Sequence, residues 1–216
     1  ETDAAYAASH EHLVISYDRT ICPGYGWIFP GPGGIFNLGI GYFYDARHAP
    51  PERNVRQLLD RFVASFPPAR DLLRHGRVRG VLKGAPLRTR LAGARLSSPG
   101  LLVIGEAAGT TYSFSGEGIG KAMESGLVAS EVLAVTRDPV AAAERYAETM
   151  RARYATRFAA YGHAQDWLTH PHLANLLAWR AAKGGYVHRQ LEGLFQETSD
   201  PSELFSPLGL LKAIVR

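Results

Sequence analysis

The sequence has little cysteine and lacks any long apolar run. Cys22 is the one cysteine among 216 residues, which excludes an intrachain disulfide and a cysteine-based zinc site and predicts a reducing, cytoplasmic location. No run of about 18 apolar residues is present, so the sequence contains no segment expected to span a bilayer. Residues 1–12 are small and polar, unlike the basic and then apolar start of a secretory signal.

Several enzyme signatures are also missing. No predicted strand is followed by Gly-x-Gly-x-x-Gly, the turn that binds the pyrophosphate of a dinucleotide. His-Glu-x-x-His and Gly-x-Ser-x-Gly do not occur, so zinc peptidase and serine hydrolase chemistry are not indicated. Four histidines near the carboxy terminus lack the spacing of metal ligands, so we predict no metal site: His163, His170, His172 and His188.

What the sequence does have is enough apolar residues for a core and an uneven distribution of charge. An apolar content of 46% over 216 residues suits one large or two small domains. The net charge is +4, but residues 70–95, the basic segment, hold one acid, Asp71, among many cations. A solvated surface is the favoured interpretation, and attraction to an anionic cofactor, lipid phosphate or membrane surface is the alternative. Nucleic acid is not a predicted partner, because no nucleic-acid-binding signature accompanies the charge. The cations are Arg70, Arg74, Arg77, Arg79, Lys83, Arg88, Arg90 and Arg95.

Apolar periodicity predicts an α/β (α+β) fold. Residues 12–17 and 35–44 have the β-branched and aromatic content of neighbouring antiparallel strands, and a helix over 51–66 should end at Pro67. The apolar run 101–104 suits a strand buried on both faces of a parallel sheet. Helices should follow over 118–135, from Asp138 onwards and, in shorter pieces, over 166–216. The first should have one apolar face of Ile119, Ala122, Met123, Gly126, Leu127 and Leu133, and the second one of Ala142, Tyr146, Met150, Tyr154 and Phe158.

The most informative stretch runs from Gly105 to Gly126. A strand followed by Gly-Glu-Ala-Ala-Gly can place the carboxylate of Glu106 at the edge of a sheet, where the sugar hydroxyls of a nucleotide bind. The glycine-rich start of the next helix supplies unpaired N–H groups and a positive dipole end. Gly116 and Gly118 would let a planar ligand approach the backbone. An ordinary strand, loop and helix with closely packed glycines is the alternative.

This stretch resembles the second FAD-binding motif of glutathione-reductase-type flavoproteins with the p-hydroxybenzoate-hydroxylase fold. The resemblance implies FAD as cofactor, with Glu106 at the ribityl chain and the start of the helix under the isoalloxazine edge. Two positions differ from the family pattern, since Glu106 replaces the usual Asp and Ser113 the usual Pro. The cofactor residues implied by position are Gly105, Glu106, Gly109, Gly116, Glu117, Gly118 and Ile119.

A second motif lies near the amino terminus. If residues 25–29 are extended, alternation puts Tyr25, Trp27 and Phe29 on one face of a strand. Such a face is either a packed aromatic core, which the residue types alone favour, or an apolar wall suited to a long hydrocarbon substrate. After Phe29 come a proline, eight residues and a Gly-x-Gly, so the motif is Tyr25, Trp27, Phe29, Pro30, Gly39 and Gly41.

This spacing resembles the motif of the geranylgeranyl reductase family of prenyl reductases. The resemblance implies an isoprenoid or other hydrophobic substrate on this sheet, whose carbon–carbon double bonds are reduced by hydride from reduced FAD. The electron donor would be NAD(P)H or a ferredoxin-like protein. No catalytic residue is predicted, although Cys22 is a candidate thiol whose alternative is a small core residue. A flavin monooxygenase or halogenase, or a lipid-binding module without flavin, are the alternative functions.

The resemblance also implies how the chain is divided. Residues 1–95 would be part of a substrate-binding domain, 96–136 the carboxy-terminal part of the FAD-binding domain, and 137–216 a helical region. Because the dinucleotide-binding turn is missing from the sequence, we expect a partial glutathione-reductase-type FAD-binding fold with an antiparallel substrate-domain sheet. We therefore expect this chain to be the carboxy-terminal portion of an oxidoreductase, located in the cytoplasm or peripherally at a membrane.

Overall fold

A computed structural model describes residues 1–17, 19–43, 54–168 and 170–215. The chain forms two compact units. Unit 1 comprises Glu1–Gly84, with which Thr169–Pro171 group, and unit 2 comprises Ala85–Leu168 and His172–Arg216. The predicted mixture of helix and sheet is confirmed, while the division by role at residues 95 and 136 stays a prediction.

Unit 1 is a small antiparallel sheet with helices. Its strands are in the order β1-β2-β3, and β2 pairs with β3 along its whole length, including Tyr25 with Gly41 and Trp27 with Gly39. The predicted strand 35–44 is therefore present up to Tyr42, and its last residue lies outside the described residues. The prediction that it neighbours the strand of residues 12–17 is wrong, because β2 lies between β1 and β3. The elements are α1 (Ala4–Ser9), β1 (Val14–Ser16), β2 (Gly24–Pro30), β3 (Phe36–Tyr42), α2 (Val55–Ser65) and α3 (Pro67–His75).

One face of this sheet packs against α2. The Phe62 ring is fully buried and lies where a side chain at Gly26 would be, since a Cβ there would come within 2.2 Å of the ring. Ile28 and Leu58 are buried in the same apolar cluster. Because side chains alternate along a strand, residues 25, 27 and 29 are on the opposite face.

Pro67 ends one helix and begins another. The helix predicted over 51–66 is observed as α2, with the Asn54 side chain accepting the Arg56 N–H at its start; residues 51–53 lie outside the described residues. Pro67 is also the first residue of α3, a position at which its missing N–H costs no hydrogen bond. Residues 77–91, which lie in the basic segment, have no regular structure.

Unit 2 is mostly helical. Its longest helix, α5, carries the predicted pattern of one apolar residue every four positions: Ala142, Tyr146, Met150 and Phe158 are buried. The Tyr146 hydroxyl also donates to the Val103 carbonyl at 2.7 Å. None of the described helices combines the length and apolar character needed to cross a membrane. The elements are β4 (Ser97–Ser98), β5 (Leu101–Leu102), α4 (Ile119–Val135), α5 (Pro139–Leu168), α6 (Pro171–Ala182), α7 (Tyr186–Phe195), α8 (Pro201–Leu204) and α9 (Pro207–Val215).

The run 101–104 does not form the expected doubly buried parallel strand within the described residues. There, β5 is a two-residue strand whose one neighbour is the antiparallel β4, and Leu101 and Ile104 are 57% and 48% exposed. The residues predicted to line one face of α4 lie on its exposed face, with Ile119 83% exposed. The buried face instead carries Lys121, Ser125, Val128, Ala129 and Val132.

Candidate functional site

The residues of the predicted cofactor motif form one continuous feature of unit 2, residues 105–118, which we call the glycine turn. Gly105–Ala108 makes a short 3₁₀ turn that ends at Gly109 in the left-handed conformation, φ 74°. A Cβ at Gly109 would lie 2.3 Å from the Arg90 carbonyl oxygen, so glycine is required there by both conformation and space. The Gly105 N–H donates to the Ser125 hydroxyl of α4 at 2.9 Å, which joins the start of the turn to the helix that follows.

The second half of the glycine turn is closed by Tyr112. Its N–H donates to the Glu117 carbonyl at 2.8 Å, and its carbonyl accepts the Gly116 N–H at 2.9 Å. Gly116 has a φ of 72°, so this reversal also uses glycine. The Glu117 carboxylate accepts the Gly120 N–H at 2.8 Å, and this contact occupies one of the free donors at the start of α4.

Two buried oxygen atoms of the glycine turn have no hydrogen-bond partner among the described residues: the Thr110 hydroxyl oxygen and Glu117 Oε2. Thr110 is only 2% exposed. Buried polar atoms in folded proteins are almost always paired, so two orphaned oxygens in one turn mark a place where a polar ligand would supply the missing bonds. The turn therefore fits a cofactor that bears hydroxyl and N–H groups, as FAD does.

The two remaining motif residues, Glu106 and Ile119, have exposed side chains. Glu106 is exposed, and one of its oxygens accepts the Arg88 N–H at 3.4 Å, so its carboxylate is accessible to a ligand hydroxyl. Ile119 is almost fully exposed and belongs with the exposed face of α4. Contact of these residues with a cofactor stays a prediction.

The aromatic motif forms a row of rings on β2 in unit 1. The ring centroids of Tyr25 and Trp27 are 5.8 Å apart, and those of Trp27 and Phe29 are 5.9 Å apart. Sequence reasoning missed two further rings, Tyr17 and Phe43, each 5.7 Å from Tyr25. Tyr17 was recognisable from the hairpin register, since Ser16 pairs with Gly26 and the next residue is therefore near Tyr25. We call these five rings the aromatic row.

The glycines of the motif lie under the rings. A Cβ at Gly39 would come within 2.3 Å of the Trp27 ring, and one at Gly41 within 3.1 Å of the Tyr25 ring. The two pairs explain the spacing of the motif, because each ring covers the glycine directly opposite on β3. Asn37, also missed from sequence, accepts the Trp27 indole N–H at 2.8 Å, which fixes the orientation of the indole. Pro30 ends β2 opposite Phe36.

The aromatic row carries no charge at neutral pH, and its three motif rings lie outside the apolar cluster around Phe62. Tyr25 is buried, whereas Trp27 and Phe29 are only partly buried. Burial raises the pKa of Tyr25, and burial followed by the neighbouring Tyr25 raises the pKa of Tyr17 above its ordinary value. Both phenols are therefore neutral, which suits contact with a hydrocarbon.

Two concavities in the structure lie away from both motifs. One of about 460 Å³ is lined by residues 1–3 and 75–77 of unit 1, and one of about 470 Å³ lies between the β4–β5 turn and α5 in unit 2. Neither includes a residue of the glycine turn or the aromatic row.

Comparisons with known proteins point to lipid reductases. No family model matches the chain. A digeranylgeranylglycerophospholipid reductase of Methanococcus vannielii is 31% identical over 155 residues, 68% of this chain and 35% of that protein. A menaquinone reductase of Mycobacterium tuberculosis is 32% identical over 138 residues, 61% of this chain and 31% of that protein. A solved geranylgeranyl bacteriochlorophyll reductase-like protein of Thermoplasma acidophilum, 20% identical, has a TM-score of 0.60 and shares the fold over 94% of this chain and 47% of its own.

The two curated relatives are named reductases, and the solved structure shares the fold of this chain. The chain belongs to the geranylgeranyl reductase family, which confirms the resemblance found in the sequence. It spans about a third of the length of the curated relatives it matches.

Proposed function

We propose that this chain is part of an FAD-dependent reductase that saturates carbon–carbon double bonds of an isoprenoid lipid or an isoprenoid quinone. The observation that carries the proposal is the pair of orphaned buried oxygens, Thr110 Oγ1 and Glu117 Oε2, which lie in the same turn. The names of the relatives, a phospholipid reductase with geranylgeranyl chains and a menaquinone reductase, support the substrate class.

In this proposal the glycine turn binds the cofactor and the aromatic row binds the lipid. FAD, when bound, supplies the hydride for the reduction. Glu106 would accept hydrogen bonds from ribityl hydroxyls, and the positive end of α4 would stabilise negative charge on the reduced ring. The Tyr25 and Trp27 rings would exclude water from the hydrocarbon chain and fix its direction. The electron donor would be NAD(P)H or a ferredoxin-like protein.

The test uses two threonines whose hydroxyl oxygens are both buried and unpartnered among the described residues, Thr110 in the glycine turn and Thr136 at the end of α4. Valine has nearly the same shape, so either Thr→Val substitution removes an unsatisfied group, and we expect unchanged or slightly raised stability. Only Thr110→Val should weaken flavin binding, by about tenfold, because only that hydroxyl would bond to the cofactor.

Stability is measured by thermal unfolding of the 216-residue chain. Flavin affinity is measured by fluorescence in a chimera that joins this chain to the part of the Methanococcus vannielii reductase preceding the matched region. Equal flavin affinity of the two variants would count against a cofactor at the glycine turn. Oxygen consumption coupled to hydroxylation by the chimera, in place of oxygen-independent saturation of an alkene, would favour a monooxygenase.

A further inference from the structure

The α4 helix contains a buried cation that the proposed chemistry does not use. The Lys121 side chain is 2% exposed and forms ion pairs with Glu124 and, at 2.7 Å, with Glu197. Burial lowers the pKa of Lys121, but the hydrogen bonds to Glu124 and Glu197 outweigh burial and raise it above its ordinary value. Lys121 is therefore charged although it is enclosed.

This position is unfavourable for a lysine on two grounds. Lys121 is the third residue of α4, where the helix dipole is positive and repels a cation. A buried ion pair also contributes little net stability compared with a well-packed apolar residue, and its better-attested role is to select one arrangement of the chain over others. The contacts of Lys121 should therefore show which arrangement of the chain it stabilises.

Its partner Glu197 is held in an unusual conformation. Glu197 follows α7 with a φ of 56°, the one non-glycine residue with positive φ among the described residues, a region that glutamate rarely adopts. In that conformation Glu197 Oε2 accepts hydrogen bonds from Lys121 and, at 3.4 Å, from the Tyr112 hydroxyl. Arg157 of α5 contacts the same oxygen at 3.3 Å.

Tyr112 connects this network to the glycine turn. The Lys121 ammonium lies 5.2 Å from the centroid of the Tyr112 ring, and the ring stacks on Tyr161 at 4.0 Å. The backbone of the same tyrosine makes both hydrogen bonds that close the turn, to Glu117 and from Gly116. Fixing the Tyr112 ring thus fixes the shape of residues 112–117.

We propose that Lys121 is a positioning residue: by holding Glu197 against Tyr112, it fixes the glycine turn in the conformation that receives the cofactor. The identity of the ligand rests on the proposed function, whereas the coupling of Lys121 to the turn does not. It also gives the carboxy-terminal helices a part in the site, because Glu197 comes from the end of α7.

The test is amide hydrogen exchange on the 216-residue chain. The amides of Tyr112 and Gly116 report on the turn directly, because their acceptors lie within it. In Lys121→Met we expect both to exchange about tenfold faster or more, the change that loss of one charge-assisted hydrogen bond produces, while amides in the middle of α5 keep their protection. The control is Arg153→Met, which removes an exposed 2.8 Å ion pair to Glu131 between α4 and α5 and should leave the turn amides unchanged.

A second variant distinguishes a specific effect on the turn from unfolding of the chain. Lys121→Met leaves Glu197 without its buried cation, whereas Lys121→Met/Glu197→Gly removes both charges and places glycine at the positive φ. We expect this double variant to be folded and its turn amides to exchange as fast as in Lys121→Met. Turn amides as protected as in the parent chain, equal acceleration in Arg153→Met, or loss of folding in both Lys121 variants would overturn the positioning role.

A titration with FMN on the parent chain separates the two proposals. Shifts of the Gly116 and Gly118 amide resonances on adding FMN would support a flavin at the turn. Their absence, together with faster exchange in the Lys121 variants, would count against the cofactor and in favour of the positioning role. Shifts without any change in exchange would count against Lys121 alone.

Discussion

The Trp27 indole lies flat over Gly39 on the neighbouring strand, so closely that a Cβ at Gly39 would be 2.3 Å from ring atom Cζ2. Gly39 is on the face of the sheet opposite α2, whose Phe62 packs with Ile28 of β2 on the other face. The absence of a side chain at Gly39 is therefore what lets the indole cover the sheet.

Gly39→Ala should displace the Trp27 ring and destabilise unit 1 by about 1–3 kcal/mol, the usual effect of inserting a methyl group into a filled space. Urea unfolding measures the loss, and the near-ultraviolet circular dichroism of tryptophan reports the ring. Gly84→Ala is the matched control, since a Cβ there has no atom within 4 Å. Similar losses of stability in Gly39→Ala and Gly84→Ala would contradict close contact between Gly39 and the Trp27 ring.

Trp27→Ala should weaken binding of a geranylgeranyl chain by about tenfold or more, because a tryptophan ring buries roughly 150–250 Å², while the flavin content of the chimera stays unchanged. Geranylgeraniol is the probe, and binding is measured by calorimetry. The control is the adjacent Ile28→Ala, which faces the core and should instead cost about 2–5 kcal/mol of stability. If Trp27→Ala lowers stability and flavin content as much as it lowers lipid binding, the ring is simply part of the core.

Arg88 and Arg90 are both exposed and belong to the basic segment. Arg88→Gln/Arg90→Gln should reduce binding to phosphatidylglycerol vesicles by about tenfold or more, since each cation near an anionic surface contributes roughly 1 kcal/mol. Binding of the parent chain should weaken as salt screens the charges. Exposed arginines of α5 provide the control variant, Arg145→Gln/Arg151→Gln. Parent binding that is equal at low and high salt would mean that the segment is only a solvated surface.

The 216-residue chain alone should bind FAD weakly or not at all, and no more tightly than FMN. Its sequence has no Gly-x-Gly-x-x-Gly turn for the pyrophosphate, a site that supplies several charge-assisted hydrogen bonds of about 1.5–3 kcal/mol each. The chimera, which adds a dinucleotide-binding half, should favour FAD strongly. Equilibrium dialysis compares the two ligands, and tight FAD binding by the chain alone would contradict the assignment of only the flavin edge to the glycine turn.

A side chain at Gly118 is a poor probe of the same contact. A Cβ there would lie 2.8 Å from the Thr111 hydroxyl oxygen, and Thr111 is itself buried. Gly118→Leu would therefore not act on the flavin alone, because the new side chain would distort the turn first. Thr110→Val leaves the backbone unchanged and is the better test.

Local patterns in the sequence predicted the parts of the fold that depend on near neighbours. The alternation of Tyr25, Trp27 and Phe29 predicted that their rings share one face of a strand, as they do on β2. The pairing of β2 with β3 was not predicted. The recurrence of apolar residues every four positions predicted α5. The glycine turn was recognised for the same reason, since all of its residues lie within one short stretch.

Features that depend on distant residues could not be predicted. The run 101–104 has the same composition whether it is a buried strand or half of a short hairpin, and periodicity cannot separate the two. Burial of the face of α4 that carries Lys121 was not predicted, because lysine has the character of an exposed residue. Its ion pair to Glu197 joins positions 76 residues apart, and no local signal indicates such a pair.

Because side chains alternate along β2, substitutions at its even-numbered and odd-numbered positions should have different consequences. Even positions, Gly26 and Ile28, meet Phe62 and the core, so replacements there should be removed by selection for folding. Of the odd positions, Tyr25 is itself buried, whereas Trp27 and Phe29 are only partly buried on the face away from that core, so under the proposed function replacements of these two would alter which lipid is accepted. We therefore expect divergence in lipid preference among descendants of this chain to be concentrated at odd positions of the strand, leaving the even positions constant.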